Sequence, residues 1–277
     1  MRTINLVEFH RPDFRIDTFN EIISSLISSL IFLNKKTARL DYLLQKDSIN
    51  IIFGYHRLFQ SDKYSKISPS KNSIIFNLEP IYLLNEHPHY SEYIKEIINF
   101  PIIDYSPLNI NFLKNRGASN IFKFNFGYID LRNRFNAFSK NKNYIFVGVL
   151  TEYRKKILSA LISNKIKIKI SDSLWGIKRD QEINLSKAVI NLNKDEVSIL
   201  AVYRIWHSLC LNTPVISSIS LDKALNAEYE KYIKFYDSME TLSFNDELIS
   251  PKLYQEKTSF TSSTRDLCAW IDSIVNN

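Results

Sequence analysis

Residues 144–170 read YIFVGVLTEYRKKILSALISNKIKIKI. The run Tyr144–Val147 is aromatic and β-branched and stops at Gly148, which reads as a buried strand ending in a turn. From Glu152 to Ser163 the apolar residues fall at helical spacing. Lys165–Ile170 then alternates lysine with isoleucine, a strand pattern. Strand, glycine, helix and strand in so short a span is the βαβ unit of a parallel sheet.

The same alternation runs outward in both directions. Further strands are expected at Thr3–Val7, Ile49–Phe53, Ser73–Leu78, Pro101–Asp104, Ile121–Phe124, Ala188–Leu192 and Pro214–Ser217. Helices are expected at Asp17–Leu33, Ala38–Lys46, Tyr90–Asn99, Leu108–Arg116, Arg179–Ser186, Glu196–Leu211, Leu221–Phe235 and Thr264–Val275. Between Asp130 and Asn143 the chain is polar, basic and non-periodic (DLRNRFNAFSKNKN), after which the strand pattern restarts. The expectation is an α/β protein of two Rossmann-like domains, 1–130 and 144–277, the second including the final helix. A linker at 131–143 joins them, and their parallel sheets face a central cleft.

Ligands of such sheets sit beyond the carboxyl ends of the strands. That rule selects Glu8, His10, Gly54, His56, Arg57, Glu79 and Asp104 in the first half. In the second it selects Gly148, Thr151, Arg154, Trp175, Gly176, Asn191 and Ser217. Amides, arginines and carboxylates in one place suit a polar, anionic ligand such as a nucleotide or sugar phosphate.

Composition narrows the classes further. Hydrophobic residues make up 45% of the 277, enough to bury a core, so disorder is excluded. Lysine and arginine outnumber acids by 36 to 29, a balance favouring anionic partners without choosing among them. Cys210 and Cys268 form no metal-ligating pair with the scattered histidines, and His87–Pro–His89 reads as a loop. The opening MRTINLVEFHRPDF lacks an apolar signal region, so a cytoplasmic setting is expected. The longest apolar run, Ile22–Leu33, is 12 residues with four serines. It falls short of the roughly 20 needed to cross a bilayer and reads as a buried or interfacial helix. Dinucleotide and P-loop glycine motifs, the G-x-S-x-G elbow and D-x-D are absent.

Five segments together resemble one family. They are IIFNLEPIYL (74–83), IIDYSPLNINFLKNRGASNIFKFNFGY (102–128), the opening stretch at 144–170, SLWGIKRDQEINLSKAVINLN (173–193) and SILAVYRIWHSLCLNTPVIS (198–217). In this order they resemble two-Rossmann (GT-B) glycosyltransferases, in particular a group of small bacterial sugar transferases. The resemblance implies transfer of a sugar from a nucleotide-activated donor to a hydroxyl acceptor, without a bound metal or other cofactor. It implies bacterial surface polysaccharide or lipopolysaccharide assembly, a saccharide or glycolipid acceptor, and possible contact of the basic surface and the helix Ile22–Leu33 with an anionic membrane. Two positions depart from the group. Ala201 stands three residues before Arg204 and Ser218 follows the last strand, where the group tends to carry acids. A sugar transferase acting on nucleic acid and a non-catalytic GT-B-like binding protein are the alternatives.

The residues have two readings each. Gly148, Thr151 and Arg154 at a helix start would face the donor diphosphate, or would be a tight turn beside a solvated arginine. Trp175 and Gly176 would hold the base, or Trp175 is a core aromatic; Arg179 opens the next helix. Asn191 lies at the carboxyl end of the "LN" strand, expected at Ala188–Leu192. Val197 and Ser198 would begin a helix that seats a phosphate. Arg204 lies on that otherwise apolar helix and needs an anion, either a donor phosphate or an internal carboxylate. In the first half Glu79, His56 and Asp104 are rival general bases for the acceptor hydroxyl.

Overall fold

The computed structural model describes residues 2–9, 19–41, 44–60, 69–85, 87–132, 143–238 and 247–275. Two compact units result, 1–126 with 260–277, and 127–259. Most of the expected linker, and His10, lie outside the described residues.

In the first unit the elements run β1 (Ile4–Glu8), α1 (Asn20–Phe32), β2 (Thr37–Asp41), β3 (Ile49–Phe53), a 3-10 helix (Tyr55–Gln60), β4 (Ser73–Phe76), α2 (Ile81–Leu84), α3 (Pro88–Ile97), β5 (Ile102–Asp104), α4 (Pro107–Lys114) and β6 (Ile121–Lys123). The second unit continues with β7 (Tyr144–Val147), α5 (Glu152–Ser163), β8 (Ile168–Ser171), α6 (Gly176–Leu185), β9 (Ala188–Asn191), α7 (Val202–Cys210), β10 (Val215–Ser218), α8 (Lys223–Tyr229), β11 (Lys234–Tyr236) and α9 (Lys252–Lys257). Helix α10 (Phe260–Val275) returns to the first unit.

Both sheets are entirely parallel. Their orders are β2-β1-β3-β4-β5-β6 and β8-β7-β9-β10-β11. Counted from each unit's first strand both begin 2-1-3-4-5, the doubly wound order whose switch point lies between the first and third strands. Strands β1, β3 and β4 are buried along their whole length, which is why they are mostly apolar and do not alternate with exposed polar residues. One face packs Val7, Ile52, Ile75 and Ile102 against Tyr93, Ile94, Ile97 and Leu113. Phe53 stacks on Phe76, and Phe76, Phe124 and Phe260 meet edge to face in sequence and carry α10. In the second unit Phe146, Ile190 and Ile216 pack on Ile157, Leu158 and Leu161 of α5.

Four expectations are corrected. Ala38–Lys46 is not a helix: Thr37–Asp41 pairs in register with β1, because the sheet edge offers hydrogen bonds that local propensity does not foresee. The helix expected at Glu196–Leu211 starts at Val202, and that expected at Leu221–Phe235 ends at Tyr229 to free β11. The final helix belongs to the first unit rather than the second, where Thr261 meets Ser29 and Lys35 meets Asp272. Of the two readings of Ile22–Leu33, buried or interfacial, α1 shows the buried one along most of its length. Ile22, Ile23, Leu26 and Leu30 are buried, each worth about 1.5–3 kcal/mol of burial, so its apolar face is core. Among the described residues no helix is long and apolar enough to cross a membrane.

Candidate functional site

At the switch point of the second sheet, β7 ends in Gly148, whose φ of 140° suits glycine. A Cβ there would lie 3.3 Å from Arg204 Nη2 and 3.7 Å from Arg154 Nη1. The glycine therefore lets the backbone run directly beside two guanidinium groups. Thr151 caps α5 by accepting from Arg154 N (3.3 Å), and its hydroxyl donates to Lys194 O (2.6 Å).

The two arginines are held differently. Arg154 is buried and donates to three backbone carbonyls: Val149 (2.7 Å), Leu192 (3.0 Å) and Asn193 (3.0 Å). It thus laces the loop after β7 to the loop after β9. Arg204 is half-buried and, among the described residues, donates only through Nη1, to Asn191 Oδ1 (2.9 Å) and Leu192 O (3.3 Å). Neither arginine pairs with a carboxylate among the described residues. Burial, with Arg154 close by, pushes the Arg204 pKa down to about 9. Among the described residues the alternative partner expected for Arg204, an internal carboxylate, is not found, and neutral oxygens stand in its place. Asn191 is fixed in turn by donating to Ser217 Oγ (2.9 Å).

Other expected donor residues are arranged around this pair or apart from it. Arg179 is buried and donates to Asp180 Oδ1 (3.0 Å from Nη2), and His207 Nε2 lies 3.1 Å from the same oxygen. Burial raises the Asp180 pKa, but His207 and Arg179 outweigh it and the net shift is downward. Val197 and Ser198 precede α7 by several residues, so they are loop and not a helix start. Trp175 and Gly176 open α6, Trp175 being 43% exposed. Val149, Trp175, Val197, Ile219 and Leu221, in the loops that follow β7, β8, β9 and β10, and Ile177 in the first turn of α6 are large, exposed apolar side chains. An apolar rim thus runs along the edge that carries the arginines.

In the first unit Glu79, His56 and Asp104 come together beyond β3, β4 and β5. His56 Nε2 is 3.4 Å from Glu79 Oε1, and Tyr90 Oη donates to Glu79 Oε2 (3.1 Å) while its ring stacks on the imidazole. Asp104 is 0% exposed and accepts from Ser106 N (2.8 Å), Asn77 Nδ2 (2.6 Å) and Asn109 Nδ2 (3.2 Å). Burial pushes its pKa up to about 7 against those hydrogen bonds. Asn77 and Asn109 also donate to the Glu79 carbonyl (3.0 and 2.9 Å), so Asp104 braces the loop that presents Glu79. Sequence reasoning missed Asn77, Asn109 and Tyr90. The N-x-E spacing of Asn77 and Glu79 was the available signal for the first.

The two doubly wound units define the class of fold. No family model matches the sequence, and neither does any curated protein sequence. Solved structures do match in fold. AviGT4, a glycosyltransferase involved in avilamycin A biosynthesis, is similar at a TM-score of 0.58 with 8% identity, over 100% of this chain and 99% of that one. OtsA in its apo form is similar at a TM-score of 0.50 with 10% identity, over 99% and 98%. The fold of this chain is that of the GT-B glycosyltransferases.

Proposed function

We propose that the protein is a glycosyltransferase taking its sugar from a nucleotide diphosphate donor. The observation that carries this is Arg204: a half-buried guanidinium beside Gly148 and Arg154, at a sheet switch point, paired only with neutral oxygens. A diphosphate placed there would supply the missing negative charge and accept the unused Nη2 donors. The apolar rim would cover the base and sugar. As the anomeric carbon–oxygen bond to the diphosphate breaks, the electron pair leaves with the phosphate, and Arg204 offsets the charge without a metal ion. The acceptor oxygen forms the new bond and loses its proton to the His56–Glu79 pair in the first unit, with Asp104 as a positioning residue. A saccharide acceptor in surface polysaccharide assembly fits this reading.

A second reading is favoured by Ala201 and Ser218. Ser218 Oγ accepts from Asn193 N (3.1 Å), so a hydroxyl does internal work where an acid would face the donor. A binding protein that kept the donor site but not transfer would look like this. Thermal shifts with nucleoside diphosphates test the shared step: a ligand at a hundred times its Kd stabilises by about 2.7 kcal/mol. No shift with any nucleotide would overturn both readings. Binding without hydrolysis or transfer from any nucleotide sugar would leave only the second.

A further inference from the structure

Helix α3 divides its side chains between two tasks. Tyr90 and Tyr93 turn toward the proposed acceptor cluster, donating to Glu79 Oε2 (3.1 Å) and Asn77 Oδ1 (3.0 Å). The neighbouring stripe of Ser91, Ile94, Lys95 and Ile98 follows the i, i+3, i+4, i+7 spacing of one helical face. With Asn85 at the end of α2 and Arg116 just past α4, it lines a cavity of about 310 Å³. Small-molecule sites occupy roughly 300–1,000 Å³, so there is room for one small ligand.

The lining is chemically one-sided. Lys95 and Arg116 bring two cations, Asn85 an amide and Ser91 a hydroxyl, while among the described residues no carboxylate lines the cavity. Asn85 spends one amide hydrogen on Tyr82 O (2.5 Å) and keeps the second. Arg116 does not trail into solvent: its guanidinium carbon lies 3.8 Å from the centre of the Phe112 ring. That contact holds the planar fork in place and lowers the cost of ordering it around a ligand. Among the described residues neither cation meets a carboxylate or another acceptor. Lys114, in the last turn of α4, already answers that helix's dipole, so Arg116 is not needed for it. Ile94 is buried and Ile98 half-buried, which gives the cavity an apolar floor.

We infer that this cavity binds a phosphate monoester carried on a body about the size of one sugar ring. A monoester carries a charge of about −1.5 to −2 near neutrality, which two cations answer, and the arginine fork matches its oxygens. Asn85 and Ser91 supply further donors, and Ile94 and Ile98 take the carbon–hydrogen face of the body. A carboxylate would leave one cation unanswered, and inorganic phosphate would leave the isoleucines uncovered. The site lies within the first unit and does not rest on the donor reading of the second.

Calorimetry of the full chain tests it, with glucose 6-phosphate, mannose 6-phosphate and fructose 6-phosphate as probes. Glucose, glucuronate and inorganic phosphate are the controls. At least one sugar phosphate should bind about tenfold or more tighter than every control. Lys95→Ala and Arg116→Ala should each weaken that binding by at least about tenfold. Both variants should keep the wild-type melting temperature, since both side chains are exposed. Saturating uridine diphosphate should leave the binding unchanged, which separates it from any diphosphate site in the second unit. Failure of all three probes to bind, equal binding of glucuronate or inorganic phosphate, displacement by uridine diphosphate, or unchanged affinity in either variant would overturn the inference.

Discussion

The two sheets share a strand order, yet their switch points are finished in opposite ways. Between β1 and β3 the charges are settled internally. Glu8 is fully buried and receives Arg39 Nη2 at 2.9 Å, while Arg57 donates to Phe9 O (2.8 Å) under the Phe19 ring. Between β7 and β9 two arginines meet only neutral oxygens. Even the glycines differ in what they admit: beside Gly54 (φ 72°) is Phe9 O, and beside Gly148 is a guanidinium. One topology thus supports a closed junction and an open one. The difference is that at the first junction an arginine meets a carboxylate of the chain, and among the described residues neither arginine of the second does.

The largest expected effect tests the division of labour rather than the fold. Glu79→Gln should cut transfer by about 10²–10³-fold, about 3–4 kcal/mol in barrier, with nucleoside diphosphate affinity unchanged. Steady-state rates and calorimetric binding on the same preparation check it, and a change in affinity would merge the two sites' roles. Next, Gly54→Ala should destabilise by about 3 kcal/mol in urea unfolding, because the added Cβ lands 2.6 Å from Phe9 O at a left-handed φ. A neutral result would mean the closed junction is looser than described.

Arg154→Ala and Arg204→Ala sharpen the contrast inside the open junction. Arg154 serves three carbonyls, and its loss should cost about 2–3 kcal/mol of stability. Arg204→Ala should cost less than about 1 kcal/mol, since its charge is disfavoured where it sits, but weaken diphosphate binding about tenfold, or 1.4 kcal/mol. Melting temperatures and affinities in the reverse order would exchange their roles. A further effect is a slope with pH. Asp104 titrates near 7 in the fold against roughly 4 unfolded, so the folded state binds the extra proton between those values. Stability should therefore fall as pH rises from about 4 to about 7 and level off above. Asp104→Asn should flatten that segment of the curve.

Much of this was legible in the chain itself. The strand end before Gly148 could be read, and those before Glu79 and at Asn191 to within two residues, because buried parallel strands are short apolar runs that break sharply. Thr151 and α5 were readable from capping and spacing. Partnerships across loops were not. That Arg154 would spend its donors on the carbonyls of Leu192 and Asn193 depends on which strands become neighbours. Strand β2 was misread because Thr37–Asp41 runs into a stretch with helical spacing, and β11 because it follows α8 with almost no punctuation.

The connectivity of the units carries a consequence for synthesis. The chain leaves the first unit after Phe126 and re-enters it at Phe260, so α10 is translated only after all of residues 127–259. Until then the groove that receives Phe260, beside Phe124, has no occupant, and α1 lacks the helix that covers it. The second unit has no such debt, since its sheet and covering helices are contiguous in the chain. On the ribosome the order of completion should be the reverse of the order of synthesis, with the first-made sheet closing last.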